Sequence, residues 1–245
     1  MNNLFDIVIP VGPKDQNIIR KQINFSQKNI IGYRNIYLVC NDSNFKISGC
    51  ITIDEQLFPF NKDTIKKYGI YTRRCGWYLQ QLVKLYAGFT IPNILDRYLV
   101  LDCDTFFLKP TKFIEDDKCL YDYRNNIYQP YITHLQKLGL KHMNLDKSWI
   151  CDHMILETQY IKKLFQQVES DNLLFYQIFL KLIDEKEKKK KKGGGASEFE
   201  IYMNFMLQYY PDKIKIRKLN HLGVVDIKDI KGNLDYVSYH WYMRK

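Results

Sequence analysis

The sequence predicts an α/β fold in which parallel strands are flanked by helices within a single domain, residues 1–245. Short continuous apolar runs, such as Asn35–Cys40 and Tyr98–Leu101, are typical of strands buried on both faces of a parallel sheet. Longer segments with helical periodicity separate these runs, which is the element order of an α/β chain. The chain has 245 residues, 46% of them hydrophobic, which is enough to form one domain of this kind with a sizeable core.

The first half opens with a predicted strand over Leu4–Val11, which a Gly-Pro turn ends. Asp15 is expected to cap the helix that follows. Asn35–Cys40 and Cys50–Ile53 are the next predicted strands, so the chain begins with a right-handed parallel unit whose strand ends form half of a nucleotide cleft. The glycine pattern G-x-G-x-x-G is missing, which excludes the usual dinucleotide site.

Arg73–Phe89 is predicted to be the best-defined helix, with Gly88 as its end. The face opposite its apolar stripe carries Arg73, Arg74, Trp77, Gln80, Gln81 and Lys84. Four of these residues recur at intervals of four, three and four and therefore share one side of the helix. A solvated basic face is one interpretation. The other is a ligand-facing helix whose cations meet phosphates and whose amides hold sugar hydroxyls.

The stretch Arg97–Pro110 joins a strong apolar strand to two carboxylates, Asp102 and Asp104, and a second apolar run follows. Side chains at i and i+2 of an extended chain share a side, so both carboxylates can converge on one cation. The carboxyl ends of strands are where open α/β sheets bind ligands. A turn is the competing interpretation, because Asp is common in turns.

The second half contains a predicted strand over Trp149–Leu156 with Asp152 and His153 at its centre. Buried polar groups need partners, so this pair indicates either core hydrogen bonds or a site. Helices are expected at Glu157–Val168 and Asn172–Ile183. The Lys/Gly segment, residues 186–196, is predicted to be a mobile surface loop because its lysines repel one another and its glycines are flexible.

A helix is predicted over Ala196–Tyr209, with Ser197 as its N-cap. Glu198 and Glu200 lie in the first turn, where the helix dipole favours negative charge, and either could instead serve as a general base. The chain ends in an aromatic cluster that contains His240, a candidate for metal or phosphate contact.

Charge and cysteine content restrict the class of protein further. The formal net charge of +10 and the sequence pI near 9.1 suit an anionic partner, although part of the excess lies in the Lys/Gly segment. The six cysteines form no C-x-x-C pair, and we expect free thiols. No apolar stretch approaches the length of a membrane span and no signal peptide is evident. We expect a cytoplasmic protein (in the host cytoplasm if the source is a virus), with only peripheral membrane contact.

Two acidic side chains and one imidazole are typical ligands of a hard octahedral cation. Mn²⁺ or Mg²⁺ fits this donor set, whereas Zn²⁺ would favour more nitrogen or sulfur. Such a cation neutralises charge on a leaving diphosphate. The set of residues therefore favours transfer chemistry on a nucleoside-diphosphate derivative.

Four motifs in order carry a resemblance to a known class of enzymes. They are G-W-Y-L-Q-Q-L-V-K at 76–84, D-C-D at 102–104, H-M at 153–154 and S-E-F-E-I-Y at 197–202. This pattern resembles glycosyltransferases of the GT-A fold with a D-x-D motif, in particular a group of nucleotide-sugar transferases with a G-W-x-x-Q-Q-x-x-K helix. The resemblance covers roughly residues 4–210. It implies a Rossmann-type mixed sheet flanked by helices.

The resemblance also implies functions for individual residues. Residues 1–110 would form the nucleotide-sugar-binding half and residues 111–245 the acceptor-binding half. The donor, a UDP- or GDP-linked sugar, would contact Pro10, Val11, Arg73, Trp77, Gln80, Gln81, Lys84, Asp102, Cys103 and Asp104. The metal would be held by Asp102, Asp104 and His240. The catalytic base would be Glu198, then Asp152, then Glu200. The acceptor would be a glycan or another hydroxyl compound, with no nucleic acid bound.

Two other functions remain compatible with the sequence. A metal-dependent nucleotidyltransferase would also use paired carboxylates, but it would normally add a third carboxylate and a Gly-rich entry loop. A non-catalytic protein that binds anions or nucleic acid would use the +10 charge, and its basic residues should then form a continuous stripe with exposed aromatic rings.

Overall fold

The computed structural model describes residues 4–71, 74–143, 146–190, 194–226, 232–240 and 243, and these contain eight α-helices and thirteen β-strands. The helices are α1 (Gln16–Asn29), α2 (Lys62–Lys66), α3 (Arg74–Thr90), α4 (Gln129–Lys137), α5 (Thr158–Val168), α6 (Phe175–Lys181), α7 (Glu185–Lys189) and α8 (Glu198–Tyr209). The strands are β1 (Phe5–Pro10), β2 (Ile30–Ile31), β3 (Tyr33–Cys40), β4 (Ile51–Asp54), β5 (Arg97–Leu101), β6 (Thr105–Phe107), β7 (Thr111–Lys112), β8 (Ile114–Glu115), β9 (Lys118–Tyr121), β10 (His153–Glu157), β11 (Ile214–Ile216), β12 (His221–Gly223) and β13 (Tyr236–Ser238).

The main sheet has five strands in the order β10-β5-β1-β3-β4. The pairs of β1 with β3, β1 with β5, and β3 with β4 are parallel, whereas β10 runs antiparallel to β5. All six residues of β1 are buried, as the continuous apolar pattern of a central parallel strand requires. The predicted α/β class with a mixed sheet flanked by helices is confirmed.

Helix α3 is the main helix that covers this sheet. Its apolar stripe, which includes Tyr78, Leu79, Leu82 and Val83, is buried in the main hydrophobic core. Each fully buried side chain of this size stabilises the fold by about 1.5–3 kcal/mol. The stripe therefore fixes the orientation of α3, and with it the direction in which the polar face of the helix points.

Two small three-stranded sheets complete the second half. One has the order β11-β9-β8 and the other β12-β13-β6. Strand β13 pairs antiparallel with β6, and Val237 lies opposite Phe106. Because β6 directly follows the D-x-D motif, this pairing brings the C-terminal segment next to the two aspartates.

Several boundaries differ from the prediction. Helix α7 includes residues 186–189 of the Lys/Gly segment, and Glu187 and Lys188 are buried rather than on a surface loop. Gly195 donates its N–H to the hydroxyl of Tyr78 (2.9 Å). Residues 191–193 of the predicted loop lie outside the described residues, and its mobility stays a prediction.

Gly88 does not end the helix, which continues to Thr90. A Cβ at this position would meet the Thr158 hydroxyl and the ring of Tyr98 at closer than contact distance. The glycine is therefore explained by close packing and not by a helix stop. Asp15 occupies the N-cap of α1 as predicted, but its side chain makes no cap hydrogen bond.

All six cysteines are free thiols, as expected. Among the described residues, no helix combines the length and apolar character that crossing a membrane requires.

Candidate functional site at the carboxyl end of the sheet

The D-x-D motif forms a turn immediately after β5, at the carboxyl end of the parallel strands. Two other segments hold this turn: the N–H of Asp102 donates to the carbonyl of Asp152 (2.9 Å), and the N–H of Tyr239 donates to the carbonyl of Asp104 (2.8 Å). The side chain of Cys103, predicted to contact the donor, belongs to the hydrophobic core. The two aspartates are therefore presented by a rigid backbone on either side of a buried thiol.

Lys84 lies between two carboxylates. Its Nζ is 2.5 Å from Oδ1 of Asp102 and 2.7 Å from Oε1 of Glu198, and its side chain is only 1% exposed. Burial alone would lower the pKa of Lys84, but the charges of both carboxylates outweigh it and raise the pKa. The N–H of Glu198 donates to Oε1 of Gln81 (3.1 Å), and the Phe199 ring covers the ammonium at 4.5 Å. The amine predicted to meet a donor phosphate is enclosed by protein groups.

Asp152 forms a second buried ion pair on the other side of the motif. Its Oδ2 accepts from Nη2 of Arg124 (2.6 Å) and from the hydroxyl of Ser238 (2.6 Å), and Arg124 also donates to the Tyr236 hydroxyl (3.2 Å). Burial alone would raise the pKa of Asp152, but the guanidinium of Arg124 holds that pKa below its ordinary value. The backbone of Asp152 has φ = 63°, a region that non-glycine residues seldom occupy and that often marks functional sites.

His240 stands between two aspartates. Its Nδ1 is 4.0 Å from Oδ2 of Asp104, and its Nε2 is 3.9 Å from Oδ2 of Asp152. The imidazole and the Asp104 carboxylate are both partly accessible to solvent. The pairing of β13 with β6 brings this late histidine close to the D-x-D motif, and its role as a metal ligand stays a prediction.

The residues at this turn fit a hard divalent cation in their chemistry. The 4.0 Å between Asp104 and His240 is within the about 4.2 Å that two ligands of one Mg²⁺ can span. Within the described parts of the chain, no three His, Cys, Asp or Glu side chains already surround a common cation position. Lys84 occupies Oδ1 of Asp102, so Asp102 would have to reach the cation through its other oxygen.

Glu200, the third predicted base, serves a neighbouring segment. It accepts from the Ser148 hydroxyl (2.7 Å), the Trp149 N–H (3.0 Å) and the Asn204 amide (3.2 Å). Burial raises the pKa of Glu200, and these hydrogen bonds oppose the rise. The Ser197 hydroxyl accepts from the Glu200 N–H at 3.4 Å, which confirms the predicted N-cap of α8.

His153 is a core residue. Its ring contacts Phe107, Phe113 and Tyr236 with centroid distances of 5.1, 5.6 and 5.0 Å. Burial lowers the pKa of His153 to about 3, so the ring is neutral at physiological pH. Of the adjacent Asp-His pair in the sequence, the structure brings only the aspartate to the site.

The donor-side residues of the first strand lie at the same edge as the motif. Val8 pairs in parallel with Val100, so Pro10 lies level with Asp102 two residues further on. Val11 donates its N–H to the neighbouring strand β3 (2.8 Å) and is buried. The backbone of this strand end, rather than the Val11 side chain, therefore borders the site.

The polar face of α3 contacts two other helices, α8 through Gln81 and Lys84 and α4 through Trp77. Trp77 stacks on Tyr131 (5.9 Å, 25°), and the guanidinium of Arg74 lies over its indole ring at 5.3 Å. Gln80 is half-buried, and Arg73 is outside the described residues. The indole predicted to contact the nucleotide thus packs against α4, in the second half of the chain.

Sequence reasoning missed Arg124 and Ser238. Ser238 and His240 are two residues apart in an extended segment, so the alternation rule could have placed both on the side of the aspartates. No local signal identifies Arg124, because its partner Asp152 is 28 residues away and the intervening segment is irregular.

Two cavities lie away from this site. One of about 480 Å³ is lined by Ile127, Gln129, Ile132, Gln136, Leu140, Lys141 and His142. Another of about 370 Å³ lies between the end of α4 and the segment before α6. Neither cavity is lined by a residue of the D-x-D motif or its partners, so the charged cluster at the carboxyl end of the sheet remains the candidate functional site.

Comparison with known proteins places the chain in a family. A model of the family of unknown function DUF6492 matches residues 16–218, and the chain belongs to this family. No curated protein gives a significant match. Among solved structures, the apo form of mouse xyloside xylosyltransferase 1 is similar, with a TM-score of 0.49, 9% sequence identity and coverage of 99% of both chains.

Proposed function

We propose that this chain is a metal-dependent glycosyltransferase, which moves a sugar from a UDP- or GDP-linked donor to an acceptor hydroxyl. The observation that carries the proposal is the convergence of Asp102, Asp104, Asp152 and His240 at the carboxyl end of the parallel sheet. Ligands of open α/β sheets bind at this edge. The four motifs of the sequence support the same reaction class.

Asp104, His240 and the outer oxygen of Asp102 would hold Mn²⁺ or Mg²⁺. When bound, the cation supplies positive charge for the diphosphate that leaves the sugar. The backbone of the turn is held by hydrogen bonds to Asp152 and Tyr239, so the adjustment that brings these groups around one cation would fall on their side chains. Rigid presentation of charged groups is what makes electrostatic stabilisation effective.

The nucleotide would lie along the ends of the first strands, beside Pro10 and Val11, as implied by the parallel register with the motif. Gln80 and Arg73 would complete this donor half, residues 1–110. The acceptor would enter from residues 111–245, where Trp77 of α3 meets Tyr131 of α4. A half-buried aromatic pair at this boundary suits the apolar face of a sugar ring.

The three predicted bases are already engaged. Glu198 contacts Lys84, Glu200 holds residues 148–149, and Asp152 is paired with Arg124. These contacts favour electrostatic and structural roles for Glu198 and Glu200. Of the three, Asp152 borders His240, and we propose it as the carboxylate that faces the reacting groups.

Thermal unfolding with nucleotide sugars tests the proposal. A UDP- or GDP-sugar at one hundred times its Kd should stabilise the protein by about 2.7 kcal/mol. For a chain of this length, that raises Tm by roughly 5–11 °C. The rise should require Mn²⁺ and should disappear in Asp104→Ala.

Asp63→Asn is the matched control, because Asp63 lies in an exposed ion pair with Lys66 far from the motif in sequence. It should keep the full response to donor and Mn²⁺. Equal stabilisation by nucleotide sugars in Mn²⁺ and in a chelator would refute the metal-dependent site. Normal donor-dependent turnover by Asp104→Ala would refute the assignment of the motif.

A further inference from the structure

The two carboxylates that contact Lys84 differ in exposure. The Glu198 side chain is 5% exposed, whereas that of Asp102 is 23% exposed. The Lys84 side chain, whose ammonium lies between them, is only 1% exposed to solvent. Glu198 is therefore shielded from a ligand at the sheet edge, whereas Asp102 is accessible to one.

The charges of this triad do not cancel. One ammonium and two carboxylates leave one net negative charge. With Asp102 alone, Lys84 would form a neutral pair, and that carboxylate would have little attraction left for a cation. With Glu198 as a second partner, the charge of Lys84 is already balanced from the buried side. The remaining negative charge is then presented by the exposed member, Asp102.

We infer that Glu198 is a positioning residue: it serves as the buried counter-ion of Lys84 and thereby preserves the negative charge of Asp102 toward a divalent cation. The inference rests on the proposed function, since it takes Asp102 as part of the cation site. It assigns Glu198 a role other than the general base that the sequence predicted.

The surroundings of Glu198 are built for this role. Gln81 and Lys84 lie three residues apart on one side of α3 and both contact the start of α8, one at the backbone N–H and one at the carboxylate. The Phe199 ring covers the ammonium from α8. Helix α3 thus holds the backbone of Glu198 through Gln81 and its carboxylate through Lys84, and the carboxylate could reach an acceptor only by breaking its contact with Lys84.

Mn²⁺ affinity, measured with the metal alone by titration calorimetry or by electron paramagnetic resonance, tests this role. Glu198→Gln keeps the shape and an acceptor oxygen but removes the charge, so Lys84 should neutralise Asp102. We expect Mn²⁺ binding to weaken by roughly tenfold or more, the effect of one unit charge at this range in a partly buried site.

The double variant Lys84→Met/Glu198→Gln provides the decisive comparison. It removes one positive and one negative charge, so the triad again carries one net negative charge, on Asp102. Mn²⁺ affinity should return to within about threefold of that of the unsubstituted protein. A purely structural role of Glu198 predicts the opposite, because the double variant removes more buried contacts.

Glu115→Gln is the matched control for a change of one charge, because Glu115 forms an exposed ion pair with Lys215 and both belong to the small sheet β11-β9-β8 rather than to the main sheet. Unchanged Mn²⁺ affinity in Glu198→Gln with a normal Tm would overturn the inference and leave the cation site standing. Failure of the double variant to recover would also overturn it. If the unsubstituted protein binds no Mn²⁺, the proposed cation site and this inference both fall.

Discussion

Replacing Arg124 by methionine would leave a buried carboxylate without its cation. Arg124 is 2.6 Å from Asp152 Oδ2 and 3.2 Å from the Tyr236 hydroxyl. The Asp152 side chain is 6% exposed, Ser238 would still donate to it, and the His240 imidazole lies 3.9 Å away. Methionine fills much of the space of the arginine stem, so the main effect of the substitution is electrostatic.

The size of the effect follows from the burial of both partners. Breaking a buried pair by removing one ion costs about 3–5 kcal/mol. The lower end applies here, because the Arg124 side chain is 19% exposed and Ser238 still donates to the carboxylate. A loss of about 3 kcal/mol corresponds to a fall in Tm of roughly 6–12 °C for a chain of this length.

The pH dependence of the loss identifies its cause. In the unsubstituted protein, the pKa of Asp152 is held low, so its ion pair contributes above the unfolded pKa of about 3.9 and is lost only as pH falls through the lower folded value. In Arg124→Met, burial would raise the pKa of Asp152. That variant should therefore gain stability relative to the unsubstituted protein as pH falls from 7 toward 4, and the gap in Tm should narrow.

Circular dichroism melts at pH 7 and pH 5 measure both effects. Adding Asp152→Asn to Arg124→Met is the control, since it removes the unpaired charge and should recover part of the lost Tm at pH 7. A Tm of Arg124→Met within 1 °C of the unsubstituted protein at pH 7 would refute the reasoning. A gap that stays constant between the two pH values would show that lost packing, and not charge, is responsible.

Two further predictions concern the core. Burial lowers the pKa of His134 to about 4, against an unfolded value near 6.5, so His134 alone should remove roughly 3 kcal/mol of stability as pH falls from 6.5 to 4, and buried His153 should add to the loss. His134→Gln should flatten this slope in denaturant titrations, and an unchanged slope would contradict the assignment. Gly88→Ala should cost about 1–3 kcal/mol despite the better helix propensity of alanine, because its Cβ meets the Thr158 hydroxyl. Thr158→Ala in the same chain removes the closest of these contacts and should recover part of the loss in Tm, and no recovery would place the strain elsewhere.

The parts of the fold that depend on local pattern could be predicted from the sequence. The run before Asp102 is buried and apolar, and it forms a central strand as its composition indicates. Ser197 caps α8 because a serine ahead of a helical segment can satisfy its first N–H groups. The end of this strand at the D-x-D motif also follows from the local pattern, because polar residues end its apolar run.

The parts that depend on distant contacts could not be predicted. Lys84 and Glu198 are 114 residues apart, so no local pattern shows that they share a bond. The sequence predicts the charged face of α3. It does not show whether solvent, a ligand phosphate or another part of the protein contacts that face. The prediction that Gly88 ends the helix was wrong because the close packing against Thr158, which explains the glycine, is a tertiary contact that no local pattern shows.

The charges around the motif indicate the order in which ligands bind. Among the described residues, Asp102 and Glu198 share the single ammonium of Lys84, so this triad carries one net negative charge, and the ion pair of Asp152 with Arg124 adds none. A diphosphate is repelled by such a cluster, whereas a divalent cation is attracted to it. Since both cations are already committed to buried pairs, the proposed donor should bind only after Mn²⁺ or Mg²⁺. The charge of these protein groups therefore supports the proposed metal dependence.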